Sequence, residues 1–349
     1  LILLIFFNYS IKASAEPYTL ANAATTVPNG SIVPSSSEIV LPSLGVNSHL
    51  DNMTVYERRA ELSRLAAMGA TWVRGGPSWY DLQPVPNQFD NFELNQLRQM
   101  VKDAAIYGIN VLVLIDQAPE WAGGGDHTAA NPKAYGSLMG EVARQMRGLG
   151  PERDSPAYEL MNEPNGLNEN GRTWANPVEY ARCACEAYRA IHKVDPAAIV
   201  VVGSLDVTDW QDWSRLSMQS GLARCFDALS VHPYSGMAVL KEIREFVGQE
   251  GRSDTPIWVT EFGESTCRDS TLGCVSEVEQ ATRLVNSLQE LGRNYPWVSV
   301  AIIYESQDDP TAPGKSSEGH FGLFSADTLN ADPVAKPAVN AIKKLYSIE

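Results

Sequence analysis

Positive charge is scarce in this 349-residue chain: 27 Lys and Arg stand against 42 Asp and Glu, for a formal net charge of −15. That balance repels phosphate backbones and anionic membrane surfaces, and no Lys/Arg cluster makes a local exception. Nucleic acid and strongly polyanionic ligands are therefore excluded as partners. The apolar run Leu1 to Phe7 is too short to cross a bilayer, which takes about 20 residues, so the mature chain is expected to hold no integral membrane segment. His and Cys are scarce as well, at five each. There is no His-Glu-x-x-His helix, no second Cys/His pair at zinc-ligand spacing and no Gly-x-Ser-x-Gly elbow. Gly314-Lys315-Ser316 has the end of a phosphate loop, but Asp309 stands where the first glycine belongs. Neither a metal nor a cofactor is expected.

A content of 44% hydrophobic and 20% charged residues is that of a globular protein with a large core. Leu1 to Phe7 is followed by polar residues and Ala13-Ser14-Ala15, the form of a signal h-region with its cleavage site. Residues 1–15 are read as a signal peptide, truncated because an initiating Met and a basic n-region are missing. Residues 16–40, rich in Ala, Ser, Thr, Pro and Asn, are read as a flexible leader. Residues 41–349 form the folded domain, expected outside the cell or in its envelope.

Within that domain short β-branched runs alternate with longer amphipathic stretches. Strands are predicted at 44–48, 72–75, 110–115, 157–162, 199–203, 228–232, 257–261 and 298–304. Helices are predicted at 54–69, 91–107, 133–148, 177–194, 210–222, 237–250, 276–293 and 335–346, several preceded by Asp, Asn, Thr or Ser caps. Eight strands, each followed by a helix, make a single α/β domain, a (β/α)8 TIM barrel.

Two runs carry the chemistry: Tyr158-Glu-Leu-Met-Asn-Glu-Pro-Asn165 and Trp258-Val-Thr-Glu-Phe-Gly263. Each sets a glutamate at the C-terminal end of an apolar strand, where a barrel of this kind keeps its active site. Glu163 and Glu261 are far apart in the chain but would open onto one rim. Alternation puts Ile257, Val259 and Glu261 on the inward face of the seventh strand. Glu159, four residues before Glu163, lies too deep for a substrate and is expected to pair internally; Glu264 falls in the following loop. Taken singly, Glu163 could be a helix first-turn carboxylate and Glu261 an ion-pair partner of Arg74.

These runs resemble the Asn-Glu-Pro and Thr-Glu-hydrophobic-Gly motifs of the clan A glycoside hydrolases. His232-Pro233-Tyr234, Phe321-Gly322-Leu323-Phe324 and Lys336-Pro337-Ala338 extend the resemblance over residues 44 to 346. It is nearest to family thirty-nine, with its β-xylosidases and exopolysaccharide-cleaving endoglycosidases, or to a cellulase-like relative. The resemblance implies Glu163 as general acid/base and Glu261 as nucleophile of a retaining double displacement, which needs carboxyl groups about 5 to 5.5 Å apart. Asn162, Arg74, His232 and Tyr234 would support them. Asn162 would bond the sugar 2-hydroxyl, Arg74 would lie near the nucleophile, and one of the strand-six pair would orient it. The substrate would be an oligo- or polysaccharide without net charge.

Sugars offer apolar faces to aromatic rings, and Trp79, Tyr80, Trp121, Trp174 and Tyr304 follow strand ends where such platforms belong. His49 is a candidate hydroxyl contact, and Trp72 and Trp258 are assigned to the core. Cys267 and Cys274 bracket a short loop after the second glutamate run, a disulfide that would stiffen it; of Cys183 and Cys185, at most one readily reaches Cys225. A transglycosylase would use the same residues, and a non-catalytic carbohydrate-binding barrel is the alternative from another class. Oligomeric state is not readable.

Overall fold

The computed structural model describes residues 39–348, apart from 126–130, 168–170, 209, 270, 272, 310, 312–316 and 326–331. The expected signal peptide and all but the end of the leader lie outside the described residues. Eight parallel strands close into one barrel: β1 (Ser43–Asn47), β2 (Trp72–Gly75), β3 (Asn110–Ile115), β4 (Ala157–Leu160), β5 (Val200–Asp206), β6 (Ala228–His232), β7 (Ile257–Phe262) and β8 (Val298–Ile303), with β8 pairing back onto β1. Each lies within a few residues of its predicted span. Around them run α1 (Val55–Ala67), the short α2 (Trp79–Leu82), α3 (Asn91–Ile106), α4 (Pro132–Met146), α5 (Pro177–Val194), α6 (Trp210–Gln219), α7 (Val239–Gln249), α8 (Glu277–Asn294) and α9 (Pro337–Leu345). A two-stranded antiparallel ribbon of β9 (Phe324–Ser325) and β10 (Val334–Ala335) precedes α9. No helix of the described residues is long and apolar enough to cross a membrane.

The helix starts follow the capping chemistry legible in the sequence. Thr54 and Glu57 form a reciprocal capping box at α1, and the side chains of Asp90, Asn131, Asn176 and Ser276 accept from first-turn amides of α3, α4, α5 and α8. Each such cap contributes about 1 kcal/mol. Pro132 and Pro177 occupy the first helical turn, where a missing N–H costs nothing.

Two apolar layers result. The larger lies between strands and helices; the smaller fills the barrel floor with Leu112, Ala157, Val201, Ala228, Trp258, Val300 and Ile302, against which Trp72 packs. Trp72 and Trp258 meet edge to face at 4.9 Å, in the core as expected. Their position corrects the reading of strand seven. Trp258 points inward, whereas Ile257 and Val259 belong to the outer layer. Glu261 nonetheless reaches the interior rim because the β7–β8 register shifts between Val259 and Phe262, breaking simple alternation just before the glutamate.

Candidate active site

Above the apolar floor the barrel turns polar. Arg74, 3% exposed, ends β2 in the barrel interior, and its guanidinium is fully subscribed. Nε donates to Glu159, Nη1 to Asn47 Oδ1 at 2.9 Å and to Glu261 Oε1 at 2.6 Å, and Nη2 to Asn162 Oδ1 at 2.7 Å. Glu159 is wholly buried in this internal pair. Glu264 instead turns to the barrel's outside, where Arg283 Nη1 meets it at 3.1 Å. Asn47, which the sequence reading missed, links β1 to both sides of the site, for its Nδ2 also donates to the Thr260 carbonyl at 3.1 Å. It carries no motif; the β1–β2 register, which pairs Asn47 with Arg74, brings it there.

Glu261 is held from its other oxygen by the Tyr234 hydroxyl, which donates to Oε2 at 2.9 Å. Burial would raise the Glu261 carboxyl, but the neighbouring charges of His232 and Arg74 and the hydrogen bonds from Tyr234 and Arg74 outweigh it and hold the group below its ordinary 4.5. Burial beside this carboxylate pushes the Tyr234 phenol far upward, so it remains a donor. Gly263 closes the motif for a steric reason: a Cβ there would sit 2.1 Å from the Tyr304 carbonyl oxygen.

Glu163 stands on irregular backbone. β4 ends at Leu160, Met161 and Glu163 take φ of 66° and 38°, and the next helix starts only at Pro177. It is thus no helix first-turn residue. Such left-handed conformations at non-glycine residues cost about 1 kcal/mol or more and persist where the surroundings demand them. Here the Asp116 carboxylate takes the Asn162 amide at 3.2 Å, and the His232 ring faces Glu163 Oε1 across 2.7 Å from Nδ1. His232 Nε2 lies 3.1 Å from Thr260 Oγ1. The strand-six pair therefore divides its contacts: Tyr234 bonds Glu261, while His232 bonds Glu163 and stays 3.7 Å from Glu261. One oxygen of each glutamate and a His232 nitrogen all lie within 4.8 Å of one another. The Glu163 side chain is 31% exposed and that of Glu261 10%.

Both glutamates, with Asn162, Arg74, Tyr234, Tyr304 and His49, line a cleft of about 810 Å³ at the C-terminal ends of the strands. His49, its side chain largely exposed, lies 3.4 Å from the buried Glu305, whose contact raises the imidazole. The tryptophans do not gather there. Trp79 is 1% exposed, its indole N–H donates to Gln83 Oε1 at 3.1 Å, and its ring is packed by Trp121 and Tyr135. A residue so enclosed cannot be a rim platform, and that expectation is corrected: it is the first residue of α2, whose amphipathic turn sends it into the core. Trp121 leans edge-on against it, bonds the Gln83 carbonyl at 3.1 Å, and stays outside the cleft. Trp174, 37% exposed beside Gly166, also lies off the lining. Tyr80 does reach it, as does Phe321, whose ring meets Tyr304 at 5.5 Å and Tyr234 at 6.0 Å. Phe321 and Glu318 were not read as site residues from sequence, because the segment bearing them follows β8 without a periodic pattern.

Two disulfides form, Cys267–Cys274 and Cys185–Cys225; Cys183 is buried in the core outside both. Cys183 and Cys185, two residues apart on α5, point to different faces, and it is Cys185 that meets Cys225.

The family model described as "Cellulase (glycosyl hydrolase family 5)" matches residues 39–300. None of the curated proteins matches the chain in sequence. Solved structures do resemble it. A family 39 glycoside hydrolase from Bacteroides cellulosilyticus WH2 superposes with a TM-score of 0.68 at 20% identity, over 89% of this chain and 65% of that one. A variant of a family 5 subfamily 18 enzyme from Streptomyces cattleya, in complex with Manβ1-4GlcNAc, gives 0.66 at 18% identity, over 88% and 80%. An exo-β-1,4-mannosidase from Opitutaceae bacterium strain TAV5 gives 0.64 at 17% identity, over 88% and 59%. The chain thus spans under two thirds of the first and last of these, and at such identities they show a shared barrel.

Proposed function

Since the chain belongs to the cellulase family, glycosyl hydrolase family 5, within clan A, we propose that it is a retaining glycosidase acting on a neutral glycan outside the cell. The observation that carries this reading is the approach of the Glu163 and Glu261 oxygens to within 4.8 Å at a solvent-open cleft. Inverting enzymes hold their carboxyls about 6.5 to 9.5 Å apart to admit a water, and retaining ones about 5 to 5.5 Å.

In the first step Glu163 gives its proton to the glycosidic oxygen while Glu261 attacks the anomeric carbon, forming a glycosyl ester and releasing the aglycone. In the second, Glu163 takes a proton from water, which attacks the same carbon and frees Glu261. Glu261 suits the first role because Arg74 and Tyr234 keep it ionised and aimed. Glu163 suits the second because it is the more exposed group and can exchange its proton with water. Asn162, tied to Arg74, would bond the 2-hydroxyl, a contact that strengthens toward the transition state. Tyr304 and His49, on the lining, are assigned to sugar contact; Trp174 would reach only a longer substrate.

The neutral substrate class is supported by a described lining whose one guanidinium, Arg74, is already taken by carboxylates. It also suits the Manβ1-4GlcNAc bound by the Streptomyces cattleya relative. Export is supported by the apolar opening run, the Ala-Ser-Ala site and the two disulfides. Incubation with 2-fluoro-glycosyl fluorides should give a stable adduct by intact mass, mapping to the Glu261 peptide, with NMR showing the released sugar's anomeric configuration retained. An inverted product would overturn the assignment.

A further inference from the structure

One wall of the cleft has no part in the displacement. Glu318 and Phe321, from the segment following β8, both line it. No described group donates a hydrogen bond to the Glu318 carboxylate. It shares the lining with Glu163 and Glu261, and burial, then the charges of Glu261, Glu163 and Glu305, push its proton affinity up. Glu318 is exposed on that wall, so the hydroxyls of a ligand can replace water on its carboxylate at little cost. Beside it Phe321 offers an apolar ring between Tyr234 and Tyr304.

This segment is fastened from one side. Ser265 Oγ donates to the Ser317 carbonyl at 2.7 Å, and Thr266 donates to the His320 carbonyl from its amide at 2.9 Å and its hydroxyl at 3.1 Å. Ser265 and Thr266 lead directly into Cys267, whose bond to Cys274 closes the loop, and the Val275 amide returns to the Ser265 carbonyl at 2.8 Å.

We propose that Glu318 is a substrate-binding residue, accepting hydrogen bonds from hydroxyls of an uncharged sugar ring whose apolar face lies on Phe321, and that the Cys267–Cys274 loop is the positioning element that holds it there. The inference rests on the glycosidase reading above. A sugar hydroxyl satisfies Glu318 without adding charge, whereas a uronate would bring a further anion into a cleft of carboxylates.

The test uses 4-nitrophenyl β-glycosides of mannose, glucose and xylose and, for the sugar turned over fastest, its singly deoxygenated analogues. Glu318→Ala should raise KM roughly 10- to 100-fold, the worth of one or two hydrogen bonds to a charged acceptor, with kcat within about two-fold. Glu318→Gln, which still accepts, should recover part of the loss. One deoxy analogue should bind the wild type poorly yet lose little more in Glu318→Ala. The Cys267→Ser/Cys274→Ser double variant should raise KM less, and add little when combined with Glu318→Ala, because both act through one contact. Thermal melts establish that each variant is folded. An unchanged KM in folded Glu318→Ala overturns the binding role while leaving the hydrolase intact; additive effects overturn the positioning role. Wild-type protein inert on every glycoside removes the hydrolase reading and this inference together.

Discussion

Two glutamates on one rim live in unlike surroundings. Glu261 sits on a regular strand with a register shift at its end, is nearly buried, and is gripped at one oxygen by Arg74 and at the other by Tyr234. Glu163 stands on a backbone of positive φ, is 31% exposed in its side chain, and meets the His232 ring. In the proposed mechanism the difference is that between a fixed anion and a proton carrier. A nucleophile gains from rigid placement and ionisation; a group that must give and then take a proton needs access to water and a partner that tolerates both states.

The sharpest break in this comparison is expected from removing the fixed anion. Glu261→Gln should lower kcat on the order of 10⁶-fold, the scale at which loss of a nucleophile leaves only binding, measured on an aryl glycoside. Glu163→Gln should cost less, about 10²- to 10⁴-fold, and its deficit should shrink for a dinitrophenyl leaving group, which departs without a proton. Equal losses for both leaving groups would remove the acid role from Glu163.

Tyr234→Phe sharpens the contrast by loosening one end of Glu261. Losing a hydrogen bond to a charged acceptor costs about 1.5 to 3 kcal/mol, or roughly a 10- to 100-fold drop in kcat/KM. The sign with pH follows. Glu261 is depressed below 4.5 in the fold, so its ionised form, and the stability it lends, is kept above the unfolded value and lost as pH falls through the folded one. Without the Tyr234 donor that folded value rises. The acid limb of the kcat/KM profile should therefore move to higher pH, and an unmoved limb would mean that Tyr234 does not tune the nucleophile.

The smallest effect on activity is expected from Trp79→Ala, since the ring lies beneath the rim and outside the cleft. It should lower stability by about 3 to 5 kcal/mol, as large-to-small core changes do, with KM of the surviving folded enzyme unchanged. A raised KM would restore Trp79 to the substrate.

Much of this was legible in the linear order of residues. The alternation of β-branched runs with capped amphipathic helices specified eight βα units, because each period and each cap is a local property of the backbone. Glu163 and Glu261 were legible through their motifs, and the depth of Glu159 through its distance from the strand end. Register, enclosure and long-range contact were not. Glu261 reaches the interior where the β7–β8 register shifts, Trp79 turns inward because of a short helix between strand and loop, Asn47 joins Arg74 through the β1–β2 register, and Phe321 and Glu318 reach the cleft from the segment after β8. The sequence by itself determined which segments become strands and which acids stand at their ends; the tertiary structure alone decided which acid is buried against Arg74 and Tyr234 and which stays more exposed beside His232, because pairing, burial and charge neighbours are set between segments distant in the chain.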